Sequence, residues 1–280
     1  FQPETGHQLA RVVVSGESVF VLDKGPNEVY RFIRSSLGDS VKPASDKPVV
    51  RKGDPAGDKT VGDLLDMTWI EAATANQRSM LHVLDVTGDL IGFDEVYGQK
   101  LMKINRDKWS TPQLLAGYNG NLYVADPGAG QIWRYAPTAN GYESEPTGWF
   151  QAGKAPDMAN LVGMAIDGRI WLLYSDGRLL KFLSGEQQPF AWTGLPTPLN
   201  SPTALAVSQE GDRLYVADPG NARIIEATKD GKFLRQFKAR EGDVLRNVRH
   251  LYLDEAKGFF YLLTGDQLYK ASVPQPGTTQ

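Results

Sequence analysis

Residues 213–237, Arg-Leu-Tyr-Val-Ala-Asp-Pro-Gly-Asn-Ala-Arg-Ile-Ile-Glu-Ala-Thr-Lys-Asp-Gly-Lys-Phe-Leu-Arg-Gln-Phe, read as three short strands and two tight turns. The strands are Leu214 to Ala217, Ala222 to Ala227 and Lys232 to Phe237. Asp218-Pro219-Gly220 makes the first turn, because proline presets φ and glycine accepts the positive φ that follows. Asp230-Gly231 makes the second, a hairpin signal. Strands this short and this close in sequence form an antiparallel meander.

The pattern recurs. Its clearest copy is Asn121-Leu122-Tyr123-Val124-Ala125-Asp126-Pro127-Gly128, followed by Gln131 to Tyr135. Four weaker copies are Val19 to Asp23, Leu81 to Asp85, Ile170 to Tyr174 and Phe260 to Thr264. Their second positions are aromatic or imidazole: Phe20, His82, Tyr123, Trp171, Tyr215 and Tyr261, spaced 62, 41, 48, 44 and 46 residues apart. A preceding and a following strand can be read around each copy, and an outer strand makes four. A repeat of this period built from short strands is the signature of a propeller blade. The fold class is therefore all-β, a six-bladed β-propeller of four-stranded antiparallel blades. One sheet cannot bury both faces alone, whereas sheets stacked in a closed ring bury them against each other. The recurring aromatic is expected to pack between blades.

The blades are placed at roughly 10–54, 60–106, 110–152, 157–194, 200–240 and 246–273, giving one domain over residues 1–273. The last blade has three obvious strands, so the N-terminal segment is expected to add its outer strand and close the ring. Residues 274–280 read as a tail or linker. The chain begins at Phe1 with no signal peptide, which reads as a processed protein or an excised domain.

Composition removes several classes of function. With 41% hydrophobic and 22% charged residues the chain is of ordinary globular make-up. A net charge of −3, from 30 basic and 33 acidic residues, supplies no general attraction for nucleic acid or anionic membrane. No stretch approaches the roughly 18 apolar residues of a membrane span. The absence of cysteine removes disulfides, thiol catalysis and thiolate metal sites, and suits an oxidising compartment. No Gly-x-Ser-x-Gly motif or phosphate loop occurs.

Ser201-Pro202-Thr203-Ala204-Leu205-Ala206-Val207, then Arg213 to Asp218, Gly220-Asn221-Ala222-Arg223-Ile224 and Asp230-Gly231, resembles an NHL repeat. The resemblance covers one blade in full and 121–135 in part, where Gly130 and Gln131 replace the Asn-x-Arg elements. The chain is also similar to extracytoplasmic NHL-type sensor domains of bacterial membrane signalling proteins. That resemblance implies a sensor or protein-interaction module outside the cytoplasm, periplasmic or on the cell surface, with an attached or associated membrane signalling domain.

The amidating-lyase branch of this fold holds a metal with several histidines, and only His7, His82 and His250 exist here. The gluconolactonase-like branch holds a divalent cation with Glu, Asn and Asp. Asp66, Asn160 and Asn200 are the candidates for calcium or another divalent ion, in a lactonase-like hydrolase with its site at the central channel. Asp54, Asp58, Asp63 and Asp66 cluster in sequence but lack the alternate-residue spacing of a calcium loop and read as turn and capping residues. No acid–base pair can be assigned. The leading reading is non-catalytic and without a cofactor: Trp69, Trp109, Asn200, Asn247, Arg249 and His250 ring a channel mouth, with Ser110 and Asn160 beside them, and bind a small polar ligand or a protein partner there.

Overall fold

Short apolar strands separated by Gly-, Pro- and Asp-rich turns fold here into six radial sheets around an axis, a six-bladed β-propeller. The computed structural model describes residues 6–34, 41–74 and 77–274. The inner strands of the blades are Leu9–Ser15, Leu64–Ile70, Leu114–Tyr118, Leu161–Ile166, Ala204–Val207 and His250–Asp254. Each pairs antiparallel with the strand that follows it. The only described helices are three 3₁₀ turns.

Because every sheet is covered on both sides, the second strands are apolar runs rather than alternating ones. Ser18–Asp23, Met80–Asp85, Ile170–Tyr174 and Leu214–Asp218 are buried along their whole length. The pleat sends alternate side chains to opposite neighbours. In the first blade Phe20 and Leu22 join the core shared with the second blade, while Val19 and Val21 join the core shared with the sixth. Six such cores are found, one for each blade interface.

All six recurring side chains are buried between blades. Phe20 stacks on Trp69 of the second blade at 5.7 Å. His82 meets Tyr142, Tyr123 meets Trp149, Trp171 meets Phe190 and Tyr215 meets Phe260, each edge to face. The connections at 138–157 and 183–200 thus lay their aromatics over blade surface. Tyr142 and Phe150 are as buried as core residues.

Three details differ from the regular four-stranded scheme. In the first blade Val41–Pro43 and Val50–Arg51 both pair with the third strand, Glu28–Arg34, giving five strands. The second blade gains a fifth strand: Gly141–Tyr142, from the connection between the third and fourth strands of the third blade, pairs parallel with Lys103–Ile104. Among the described residues the sixth blade has three strands, His250–Asp254, Phe259–Leu263 and Leu268–Ser272. Residues 1–5, on which part of the expected closing strand falls, lie outside the described residues, as do 275–280 of the expected tail. The described start of the chain touches both the first and the sixth blade. Gln8 donates its N–H to Asp23 of the first blade at 2.8 Å, and Leu9 donates to the Gly265 carbonyl at 3.1 Å. Among the described residues the ring is joined by the apolar core between blades six and one, by the Tyr252 hydroxyl on the Val14 carbonyl at 2.9 Å, and by an Arg34–Asp254 ion pair.

Candidate functional site

The inner strands all run in one direction along the axis, so the propeller has two different faces. The entry face carries the segments that lead into each inner strand and the turns between second and third strands. The exit face carries the loops between first and second and between third and fourth strands. Between the faces lies a channel of about 520 Å³ walled by inner-strand residues, among them Met67, Val162, Met164, Leu205 and Leu251. Its size falls in the range of small-molecule sites.

A polar group closes in at the entry end. Arg11, a lone charge in the strand Leu-Ala-Arg-Val-Val-Val-Ser, reaches across three blades. Its Nε lies 3.0 Å from Asp66, and its guanidinium also donates to the Met67 and Leu115 carbonyls at 3.4 and 3.1 Å. Asp66 also accepts the Leu115 N–H at 2.7 Å. Burial pushes the Asp66 carboxyl above its ordinary range, against the opposing pull of Arg11 and the Leu115 N–H. Beside this pair, His250 Nδ1 accepts the Val12 N–H at 3.3 Å. A ring nitrogen that accepts carries no proton, so the hydrogen sits on Nε2. Burial, helped by the Arg11 charge, holds His250 well below the usual imidazole range, and the ring is neutral.

The exit end is different. There the cavity reaches Gln209, Glu210, Asp254, Glu255 and Ala256, at the loops of blades five and six. Asp254 is paired with Arg34. Glu255 accepts the Ser208 hydroxyl and the Gln209 N–H and has no basic partner among the described ion pairs.

The residues singled out in the sequence are thus divided. His250 of the sixth blade and Asp66 of the second come together against the inner strand of the first, on Val12 and Arg11. Asn247 and Arg249 are exposed on the entry face, in the segment leading to His250. Asn200 is exposed there too, its backbone N–H held by Asp218 at 2.8 Å. The Asn160 carbonyl accepts the Ser175 N–H at 3.0 Å, in a different blade from Asn200. Asp66, Asn160 and Asn200 are therefore each tied to separate structure. Among the described residues, no three His, Asp or Glu side chains gather as metal ligands.

Trp109 is placed away from the axis: its Nε1 donates to the Tyr135 hydroxyl at 2.6 Å, in the core between blades two and three. Trp69 is at the opposite end from the expected mouth. It is the sixth residue of a seven-residue strand, so it lies near the exit face, and the pleat turns it onto Phe20. There it lines a separate recess with Arg31, Arg78 and Glu95, next to the exposed Val96 and Tyr97.

Two features of the site lie outside the residues expected from the sequence. Arg11 was signalled by a charge inside an inner strand. The Asp that ends the second strand in blades one, two, three and five was visible as a repeat, but its work was not. Asp23, Asp85, Asp126 and Asp218 are fully buried and accept backbone N–H groups from the segment entering their own blade: Gln8, Gly62, Ser110 with Thr111, and Asn200. Each clamps a loop to the entry face.

Comparison with known proteins agrees with this architecture. Among solved structures the chain is similar to selenomethionine-substituted virginiamycin B lyase from Staphylococcus aureus, at 12% identity over 96% of both chains with a TM-score of 0.59. It is also similar to a catalytically inactive virginiamycin B lyase from Staphylococcus aureus with quinupristin, at 13% identity over 98% of this chain and 87% of that one, TM-score 0.51. A chain of a nidogen/laminin complex aligns at 12% identity over 92% and 85%, TM-score 0.61. No family model and no curated protein matches the chain. At such identities the likeness establishes a shared fold, one carried both by an enzyme and by a component of a protein complex.

Proposed function

We propose that this chain is a non-catalytic recognition module, an NHL-type sensor propeller working outside the cytoplasm, that takes a small ligand in its channel and presents its exit face to a protein partner. The observation that carries the reading is the state of the channel's polar groups. Asp66 is committed to Arg11 and to a backbone N–H, and His250 uses Nδ1 on the Val12 backbone rather than on an orienting carboxylate. A general base needs a partner that holds its reactive nitrogen toward a substrate proton, and here that nitrogen already carries a hydrogen. The arrangement suits holding a ligand better than moving its protons. Val96 and Tyr97, 76% and 67% exposed on the exit face, support partner docking on the side to which the channel leads.

Native mass spectrometry of the purified protein tests this, with calcium and with chelator. A co-purifying small molecule that is lost in Ala165→Trp, which fills the channel from its wall, is the expected result. A stoichiometric calcium ion removed by Asp66→Asn would overturn the reading in favour of the hydrolase.

A further inference from the structure

The two ends of the channel differ in chemistry, and the difference specifies a ligand; this inference rests on the channel being the ligand site. At the inner end one donor is unused. His250 is 9% exposed and lines the cavity, its Nδ1 is taken by Val12, and no described group accepts from its Nε2–H. The neighbouring charges, Arg11 and Asp66, neutralise each other at 3.0 Å, so this end offers a hydrogen bond without net charge. The walls between are apolar: Met67, Val162, Met164, Leu205 and Leu251. Inner strands of about five residues at roughly 3.3 Å each make the passage about 15–20 Å long.

The outer end is anionic. Of the three acids at the mouth, Asp254 is met by Arg34, whereas Glu255 has only neutral partners and the exposed Glu210 is in no described ion pair. Burial would raise the Glu255 carboxyl, but the Ser208 hydroxyl and nearby backbone N–H groups outweigh it and hold it below the usual carboxylate range. The mouth therefore stays negative at neutral pH.

We infer that the channel binds an elongated apolar molecule with an uncharged hydrogen-bond acceptor, such as a carbonyl, at its inner end and a cationic group at its outer end. The acceptor takes the His250 Nε2–H, the apolar body fills the channel, and the cation stays at the rim near Glu210 and Glu255, where it remains partly hydrated.

Four probes of one chain length separate these elements by isothermal titration calorimetry: decylamine, 2-decanone, 10-aminodecan-2-one and decanoate. The aminoketone is expected to bind the wild-type protein about fivefold more tightly than decylamine, the share of one buried hydrogen bond. Decanoate is expected to bind weakest. In His250→Phe, checked for native circular dichroism, the aminoketone loses its advantage over decylamine. In Glu210→Gln both amines weaken about twofold to threefold, and added salt removes that difference. Decanoate binding as tightly as decylamine, or an aminoketone advantage that survives His250→Phe, would overturn the ligand chemistry while leaving the channel site in place. If no probe binds, or if Ala165→Trp binds them all unchanged, the channel is not their site and the reading above falls with it. The comparison of aminoketone with decylamine on the wild-type protein stands even if a variant does not fold.

Discussion

Asp218 shows how one residue type holds a blade together. Its carboxylate takes the Asn200 N–H, the Asn221 amide at 2.8 Å and the Arg223 Nε at 2.7 Å. Arg223 is 2% exposed and also donates to Gln236 and to the Thr197 and Pro198 carbonyls. Removing one member of such a buried pair leaves an uncompensated charge. Arg223→Ala is therefore expected to lower stability by about 3–5 kcal/mol in urea titration. Arg223→Gln should cost less, because Gln131 fills the same position of the third blade and reaches the Phe150 carbonyl at 3.0 Å. The fourth blade has Tyr174 where these aspartates stand. Its hydroxyl is buried with no hydrogen-bond partner among the described residues. Tyr174→Phe is expected to be neutral or to stabilise by up to about 1 kcal/mol, since the unsatisfied group disappears.

His82 adds a pH dependence at the same scale. Burial lowers its pKa to about 4, from about 6.5 in an unfolded chain. Between those values the unfolded state binds the extra proton and the folded state does not, so stability falls as pH drops from about 6.5 towards 4 and is unaffected above. The full difference is about 3 kcal/mol. His250 acts in the same direction. His82→Phe should flatten the urea midpoint between about pH 6.5 and 5, above most carboxylate titration. An unchanged slope would remove His82 as its source.

At the scale of elements, the Asp-Gly hairpin of the fifth blade does more than turn the chain. Gly231 has φ +92°, and a Cβ there would lie 2.1 Å from the Ala191 carbonyl oxygen. The segment from the fourth blade runs that close because Thr193 bridges in parallel to Lys232 and exchanges backbone hydrogen bonds with Gly231 and Phe233. Gly231→Ala therefore meets both an unfavourable φ and a backbone clash. It is expected to destabilise by more than the roughly 1 kcal/mol of conformational preference alone, as read by thermal melting. Turn chemistry announced the hairpin in the sequence. The strap packed against it could not be read, because a single parallel bridge has no periodicity. The same holds for Gly141–Tyr142: two residues joining the edge of another blade leave no pattern in the chain, and only the sheet places Tyr142 against His82.

For the whole molecule, the seam between blades six and one is the place to look for opening. The second to fifth blades follow one another along the chain, whereas the described contacts at the seam join its two ends. The Leu268–Ser272 strand forms the described edge of a three-stranded sheet. Hydrogen exchange by mass spectrometry should find its amides, and those of Leu9–Ser15, less protected than the interior strands Leu161–Ile166 and Ile170–Tyr174. Equal protection around the ring would place closure outside these contacts.

What the amino-acid sequence determined by itself is the repeat: six copies of an apolar strand with an aromatic at its second position, punctuated by turns, and hence the propeller. That follows because turn chemistry and the short apolar runs between turns are written in neighbouring residues. Tertiary structure alone decided which side chains share the axis. Arg11, Asp66 and His250 are separated by 55 and 184 positions, yet the ring brings blades one, two and six side by side. The same closure sent Trp69 to the exit face and Trp109 into a blade interface, because the pleat and the tilt of each strand, not its composition, set the direction of a side chain.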